Sequence, residues 1–217
     1  TLWKGVVLVS YGLKRIIDIA AASVALTLGS PLFALTAILI KFEDGGAVLF
    51  RQERVGYRGK CFGMYKFRSM RTQAESETKS LEAQNEMQGG VIFKMKNDPR
   101  VTRVGKFIRK YSIDELPQFW NVLIGNMSVV GPRPHPTPLN LESMHTVDNY
   151  MLRHLVLPGI SGLAQVNGCR GETKTTEEMQ RRIDFDLYYI HRWSFWLDIQ
   201  IIIQTVVNIV RGDQNAY

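Results

Sequence analysis

The sequence is poor in cysteine and lacks several familiar nucleotide-binding motifs. Only two cysteines, Cys61 and Cys169, occur in 217 residues. Their spacing fits neither a metal site nor a disulfide framework, which favours a reducing compartment. No segment shows a phosphate-binding P-loop or a dinucleotide-binding fingerprint. A secretory cleavage pattern is also missing near Thr1, and the sequence leaves open whether a further segment precedes this residue.

Acidic residues are too few to balance the basic ones. The chain has 27 Lys and Arg against 20 Asp and Glu, which gives a formal charge of +7 and a pI near 9.5. Such a surplus suits nucleic acids, an anionic membrane surface or phosphorylated small molecules equally well. Because no nucleic-acid recognition motif or row of stacking aromatic residues is present, we predict no nucleic-acid partner.

One long run has almost no charge. Residues 16–40 contain a single charged residue, Asp18, and as an unbroken helix they would extend about 37 Å, enough to cross a bilayer. Ser30-Pro31 lies inside the run, and proline removes a backbone donor and clashes with the preceding turn. The two pieces would measure about 22 Å and about 15 Å, and neither spans a core of roughly 30 Å. Since both flanks are basic, we predict a helix-break-helix that enters and leaves the same leaflet, with a kinked transmembrane helix as the alternative.

Residues 47–70 alternate between apolar and polar side chains, with glycines in the middle. This pattern predicts a short β-hairpin that turns near residues 56–59. By the two-residue period of a strand, Lys66 and Arg68 share one face, and both are candidate phosphate contacts. The polar stretch that follows, residues 71–90, is predicted to be a polar helix or a mobile loop able to act as a lid.

Two adjacent carboxylates, Asp114 and Glu115, follow a basic amphipathic helix predicted over residues 100–111. Ser112 and Glu115 have the spacing of a helix capping box, and acidic side chains are favoured in a first helical turn. Local sequence alone favours this structural interpretation. The basic helix before the pair and the arginine-bearing loop after it favour a catalytic one.

Two loops present arginines suited to an anion. Four prolines within residues 132–138 make an extended, rigid loop, in which the planar guanidinium of Arg133 suits a phosphate or carboxylate. Residues 157–171 form a glycine-punctuated loop whose amides and Arg170 could build an anion-binding concavity.

The C-terminal part has a helical pattern over residues 181–210, with Trp193 and Trp196 beside a mostly apolar run. Tryptophan favours the boundary between membrane and water. The pattern therefore favours an interfacial amphipathic helix over an ordinary core helix.

Taken together, these motifs resemble those of one family, the monotopic phosphoglycosyl transferases. These bacterial sugar transferases move a sugar 1-phosphate from a nucleotide diphosphate sugar to a polyprenyl phosphate. The resemblance extends from residue 13 to the end of the chain. The matching segments are, in order, Ser30-Pro31 and residues 66–70, 98–105, 114–118, 131–134, 158–162 and 164–168.

The resemblance implies a reaction in two half-steps with Asp114 as nucleophile. Asp114 would attack the sugar-bearing phosphorus and expel the nucleoside monophosphate, and the lipid phosphate would then attack the phosphosugar-aspartate intermediate. The resemblance also implies Mg²⁺ as cofactor, held by Asp114 and Glu115, since a hard divalent cation suits diphosphates. The residues expected to contact phosphate are Arg109, Arg133, Arg170, Lys66 and Arg68.

Residues 167–173 look most like the branch of the family that uses UDP-glucose and undecaprenyl phosphate to begin exopolysaccharide, capsule or O-antigen repeats. Cys169 departs from that branch, where a tryptophan or a similar residue is usual, so galactose or an N-acetylated sugar stays open. A non-catalytic peripheral membrane module, in which the acidic pair is only a cap, is the other alternative.

We therefore predict an α+β, mostly helical protein with a broken membrane-dipping helix, a short β-hairpin and interfacial amphipathic helices. Residues 1–45 would form the segment with the re-entrant helix, and residues 46–217 a catalytic domain on the cytoplasmic face of the inner membrane. The implied partners are a UDP-sugar, undecaprenyl phosphate and the inner leaflet. A homodimer is left open.

Overall fold

The computed structural model describes residues 2–74, 76–77, 98–171, 173 and 175–211, with side chains from residue 12 onward. Most of the predicted polar lid, residues 71–90, lies outside these ranges. The described chain is α+β and mostly helical, as predicted. Its helices are α1 (Leu2–Asp44), α2 (Arg103–Lys110), α3 (Gln118–Leu123), α4 (Thr137–Thr146), α5 (Leu163–Val166), α6 (Thr176–Arg192) and α7 (Phe195–Arg211), and its strands are β1 (Leu49–Val55), β2 (Cys61–Phe67), β3 (Ser128–Val130) and β4 (Gly159–Ser161).

The apolar helix α1 is a single helix, although the sequence predicted a break at Ser30-Pro31. It runs from Leu2 to Asp44 with Pro31 inside it. Proline has no amide to donate to the carbonyl four residues earlier, that of Thr27. The hydroxyl of Ser30 donates to this carbonyl at 2.8 Å instead. The serine thus satisfies the acceptor that the proline leaves open, and helical structure continues through the motif.

α1 contacts the rest of the protein at two places. About a third of the way along the helix, Lys14 Nζ lies 2.6 Å from Asp198 of α7, and Asp18 accepts a hydrogen bond from the amide of Val129 at 3.0 Å. At its end, Glu43 accepts a hydrogen bond from the amide of Arg103, the first residue of α2, at 2.7 Å. Between these contacts many large apolar side chains are exposed, such as Leu28 at 78%. Residues Gly12–Asp44 are long and apolar enough to cross a membrane.

The predicted hairpin is confirmed. β1 and β2 pair antiparallel, from Leu49 opposite Phe67 to Val55 opposite Cys61. The connection is a short 3₁₀ turn over Tyr57–Gly59. β2 carries Lys66 toward the centre of the domain.

A parallel strand pair, β3 and β4, was not predicted. Each strand has three residues, with Ser128 opposite Gly159 and Val130 opposite Ser161. A side chain at Gly159 would lie 2.1 Å from the backbone nitrogen of Gly131, so the two backbones approach this closely only because both residues are glycine. The loop that carries Arg133 follows β3 directly, whereas the loop that carries Arg170 follows β4 and the short helix α5.

The C-terminal segment forms two helices, α6 and α7, rather than one continuous stretch. Tyr189 and Ile201 pack against Val130 of β3 in one core cluster. The outer side of α7 exposes large apolar residues, including Trp196 at 71% and Val210 at 80%. This exposed apolar surface agrees with the predicted amphipathic character of the segment.

Candidate active site

The acidic pair lies in a 3₁₀ turn, Ile113–Glu115, between α2 and α3. The predicted capping box is wrong, because Ser112 is left-handed (φ 56°) and its side chain caps no helix. Its hydroxyl instead accepts a hydrogen bond from Arg170 Nη2 at 2.7 Å. The backbone turns sharply at Ser112, so Asp114 and Glu115 point into the domain instead of lining a helix end.

Glu115 is held by two cations. Lys66 Nζ donates to Oε1 at 3.1 Å, and Arg133 donates to both carboxylate oxygens, to Oε2 through Nη1 at 3.2 Å and to Oε1 through Nη2. Burial alone would raise the pKa of Glu115, but the charges of Arg133 and Lys66 outweigh it and hold this pKa far below its ordinary value. Glu115 is therefore ionised throughout the physiological range.

Asp114 has a different environment, although it is the adjacent residue. It is only 7% exposed, and its ion pair with Lys66 is long, at 4.0 Å. Among the described residues, none donates a hydrogen bond to its carboxylate. Burial raises the pKa of Asp114 to about 6, against the opposing charge of Lys66 and with the help of the negative charge of Glu115. The oxygens of Asp114 thus have fewer close cationic partners than those of Glu115.

Three further cations were predicted to contact phosphate. Arg109 Nε donates to Ser69 Oγ at 2.8 Å, and the charge of Arg109 lowers the pKa of Asp114. Arg170 lies against Ser112, and its charge lowers the pKa of Glu115. Arg68 is elsewhere: it forms an ion pair with Asp44 at the end of α1. The structure therefore brings Lys66, Arg109, Arg133 and Arg170 around the acidic pair, and places Arg68 at the end of the apolar helix.

Sequence reasoning missed Asn121, which is fully buried in α3. Its side chain accepts from the amide of Tyr65 at 2.9 Å and donates to the carbonyl of Gly63 at 2.8 Å. These bonds fix β2, and with it Lys66, beside the turn that carries the acidic pair. An amide side chain within a short apolar helical segment was the signal that could have found it.

The donor set around the pair suits a magnesium ion that arrives with a substrate. In the described part of the chain, no group of three or more His, Cys, Asp or Glu side chains is arranged to hold a metal. Magnesium is commonly held by one or two carboxylates together with substrate phosphates. Asp114 has uncommitted oxygens for this purpose, while both oxygens of Glu115 already accept from cations.

These features define a mostly helical domain that is joined to a long apolar helix and has two carboxylates surrounded by basic side chains. The chain matches the bacterial sugar transferase family over residues 9–212 and belongs to it. This finding confirms the resemblance seen in the sequence motifs.

Three curated relatives are similar to the chain over most of its length. The chain is 51% identical to a UDP-glucose:undecaprenyl-phosphate glucose-1-phosphate transferase from Klebsiella pneumoniae, over 89% of this chain and 39% of the relative. It is 47% identical to the transferase of the same name from Escherichia coli (strain K12), again over 89% and 39%. It is 46% identical to the UDP-N-acetylgalactosamine-undecaprenyl-phosphate N-acetylgalactosaminephosphotransferase of Aeromonas hydrophila, over 92% and 44%. The chain therefore spans less than half the length of these relatives.

Proposed function

We propose that this chain transfers a sugar 1-phosphate from a UDP-sugar to undecaprenyl phosphate, with Asp114 as the nucleophile. The observation that carries the proposal is the contrast within the acidic pair. Glu115 is bound by Lys66 and Arg133, whereas Asp114 is buried with uncommitted oxygens and a raised pKa. A carboxylate with free lone pairs, inside a field of fixed positive charge, is suited to attack a phosphorus atom.

The reaction proceeds in two displacements at the same phosphorus. An oxygen of Asp114 forms a bond to the sugar-bearing phosphorus of the donor, the bond to the bridging oxygen breaks, and UMP leaves with the electron pair. An oxygen of the lipid phosphate then attacks this phosphorus, and the acyl phosphate bond breaks. Asp114 is regenerated as a carboxylate, and the product is a lipid diphosphate sugar.

Fixed cations lower the repulsion between the anions that meet in each step. Arg133 and Arg170 come from the two adjoining loops, and Arg109 comes from α2. When bound, a magnesium ion held by Asp114, with Glu115 beside it, would supply charge neutralisation at the diphosphate. Glu115 keeps Lys66 and Arg133 in place at the site.

Substrate access at a membrane surface is supported by α1 and α7. Lys14 and Glu43 of α1 both bind the same domain, while many of the side chains between them expose apolar surface. We propose that residues 1–45 dip into and leave one leaflet by a kink at Pro31 that keeps the helical structure, and that residues 46–217 form the catalytic domain on the cytoplasmic face of the inner membrane. Lipid phosphate and Asp114 would then meet at headgroup height.

Glucose is the first candidate sugar, because two of the three relatives above are named for it. The third is named for N-acetylgalactosamine, and Cys169 departs from the pattern of the glucose branch, so the sugar must be decided by experiment. Homodimerisation stays a prediction that light scattering in detergent would check.

The test is incubation of the purified chain with undecaprenyl phosphate, Mg²⁺ and a panel of UDP-sugars, with release of UMP as the readout. We expect UDP-glucose to release UMP and to label the lipid. Incubation with labelled donor alone should leave a phosphosugar on Asp114, which peptide mass mapping would locate. Sugar-phosphate transfer without any adduct on Asp114 would exclude the covalent route, and no transfer from any donor would favour a non-catalytic membrane module.

A further inference from the structure

Two buried arginines outside the acidic site hold the backbone of the loops that carry Arg133 and Arg170. Arg153 Nη2 donates to the carbonyl of Arg133 at 2.6 Å. Arg182 Nη2 donates to the carbonyl of Gly171, the neighbour of Arg170, at 2.7 Å. Each contact thus fixes the main chain at or beside one of the arginines that face the acidic pair.

Asp186 of α6 pairs with Arg153, and its charge also acts on Arg182. Arg153 donates to Asp186 Oδ2 through Nε at 3.0 Å and through Nη2 at 2.8 Å, and both side chains are almost fully buried. Arg182 lies four residues before Asp186 on the same helix face. Burial raises the pKa of Asp186, and the charges of Arg153 and Arg182 oppose this rise.

This buried group is costly to the fold. Two guanidinium groups and one carboxylate lose their hydration, and apolar residues of similar size at such places are often neutral or stabilising. What apolar side chains could not supply is the pair of hydrogen bonds to the carbonyls of Arg133 and Gly171. Those two hydrogen bonds are therefore the feature through which the cluster can affect function.

We propose that Arg153 and Arg182, which hold the backbone at Arg133 and at Gly171, are positioning residues that set the spacing between the guanidinium groups of Arg133 and Arg170. The inference rests on the proposed function, in which those two groups bind the diphosphate of the donor. Two guanidinium groups bind one diphosphate tightly only when the distance between them is fixed before binding. Arg153 and Arg182 act through the backbone and do not touch the substrate.

The test is a double-mutant cycle with Arg182→Gln, Arg170→Gln and the double variant. Arg182 is preferred to Arg153, because removal of Arg153 would leave the Asp186 carboxylate buried without its partner. We expect Arg182→Gln to raise the KM for the UDP-sugar on the order of tenfold, with kcat changed much less. In the Arg170→Gln background the same substitution should have almost no further effect, since its target is gone.

Arg181→Gln is the matched control, because Arg181 is the neighbouring arginine on α6 and is exposed. It should leave KM unchanged. Arg182→Lys should restore part of the affinity, because an ammonium can still donate to the carbonyl of Gly171. Thermal unfolding of each variant separates loss of folded protein, which lowers apparent kcat, from loss of positioning, which raises KM.

The same double-mutant cycle can be measured as the Kd for UDP by calorimetry, which does not depend on turnover. If the parent releases no UMP but binds UDP, and the cycle is non-additive, the proposed function fails and the positioning role stands. Additive effects of the two substitutions, or an unchanged KM and Kd in Arg182→Gln, would overturn the positioning role even in an active enzyme. A parent that binds no UDP overturns it as well.

Discussion

The ammonium group of Lys66 lies 3.1 Å from Oε1 of Glu115. The same nitrogen is 4.0 Å from Asp114, so one cation pairs closely with the second carboxylate and only loosely with the first. The pKa values of the two groups consequently move in opposite directions, which is how paired carboxylates acquire separate tasks. Adjacent residues of the same charge type thus differ: Glu115 is held as an anion by two cations, and Asp114 is buried with a raised pKa.

Asp114→Asn is expected to lower UMP release by at least about 10³-fold, because an amide cannot form the acyl phosphate. The isosteric side chain keeps the shape of the turn, so the fold should be preserved. Asp184→Asn, a change at an exposed aspartate of α6, serves as the control and should keep parental activity. Transfer by Asp114→Asn at the parental rate would remove Asp114 as the nucleophile.

The first half-reaction should depend on the ionisation of Asp114. Only the carboxylate attacks, and burial raises the pKa of Asp114 to about 6. UMP release in a single turnover without lipid acceptor should therefore rise about tenfold per pH unit below this value and level off above it. Lys66→Met should move the inflection to higher pH, because the charge of Lys66 lowers the pKa of Asp114. A flat profile between pH 5 and pH 7 would contradict this assignment.

The same raised pKa predicts a stability cost. The folded state keeps the proton of Asp114 between the ordinary value of 3.8 and about 6, while the unfolded chain releases it. Stability therefore falls as the pH rises through this window, and the cost is complete above it. Asp114→Asn should be more stable than the parent at pH 8, by roughly 1–3 kcal/mol, with little difference below pH 4. Denaturant unfolding in detergent at both pH values would measure this, and a destabilised variant at pH 8 would be the opposite result.

Glu115→Gln should weaken the binding of Mg²⁺, because it removes a negative charge beside the metal that Asp114 would hold. We expect the concentration for half-maximal UMP release to rise about tenfold, and a Mg²⁺ titration would measure it. Glu142→Gln, at an exposed position on α4, is the matched control. A titration curve that coincides with that of the parent would leave Asp114 as the single protein ligand.

The topology of α1 can be checked with cysteine labels. Leu13 and Phe42 are exposed near the two ends of the apolar segment, next to residues that bind the same domain. In a Cys61→Ser, Cys169→Ser background, Leu13→Cys and Phe42→Cys should react with an impermeant reagent from the same side of sealed vesicles. Reaction from opposite sides would require a transmembrane helix.

Local signals predicted the elements that depend on local chemistry. The hairpin was predicted from alternation and from the glycines of its turn, and α2 from its helical spacing. The prediction that Ser112 caps a helix was wrong. Its backbone is left-handed, which no capping rule includes. Its side chain accepts a hydrogen bond from Arg170, which is 58 residues away in the chain. β3 and β4 are three residues each, too short to show a period.

The buried positioning group was missed although a signal for it existed. Arg182 and Asp186 occur at helical spacing on the same face of α6 as Met179, Ile183 and Tyr189, which are all buried. Charged residues on an otherwise apolar face imply buried partners. Which partners they have depends on loops far away in the chain, and only the folded structure reveals them.

The contact between Glu43 and the first amides of α2 has a mechanical consequence. The helix that carries Arg109 begins where the apolar helix ends, and the two are joined by hydrogen bonds to Arg103 and Val104. Because Glu43 accepts from both amides, a displacement at the end of α1 would also move the first turn of α2. The orientation of the apolar helix and the position of Arg109 are thereby coupled through one glutamate.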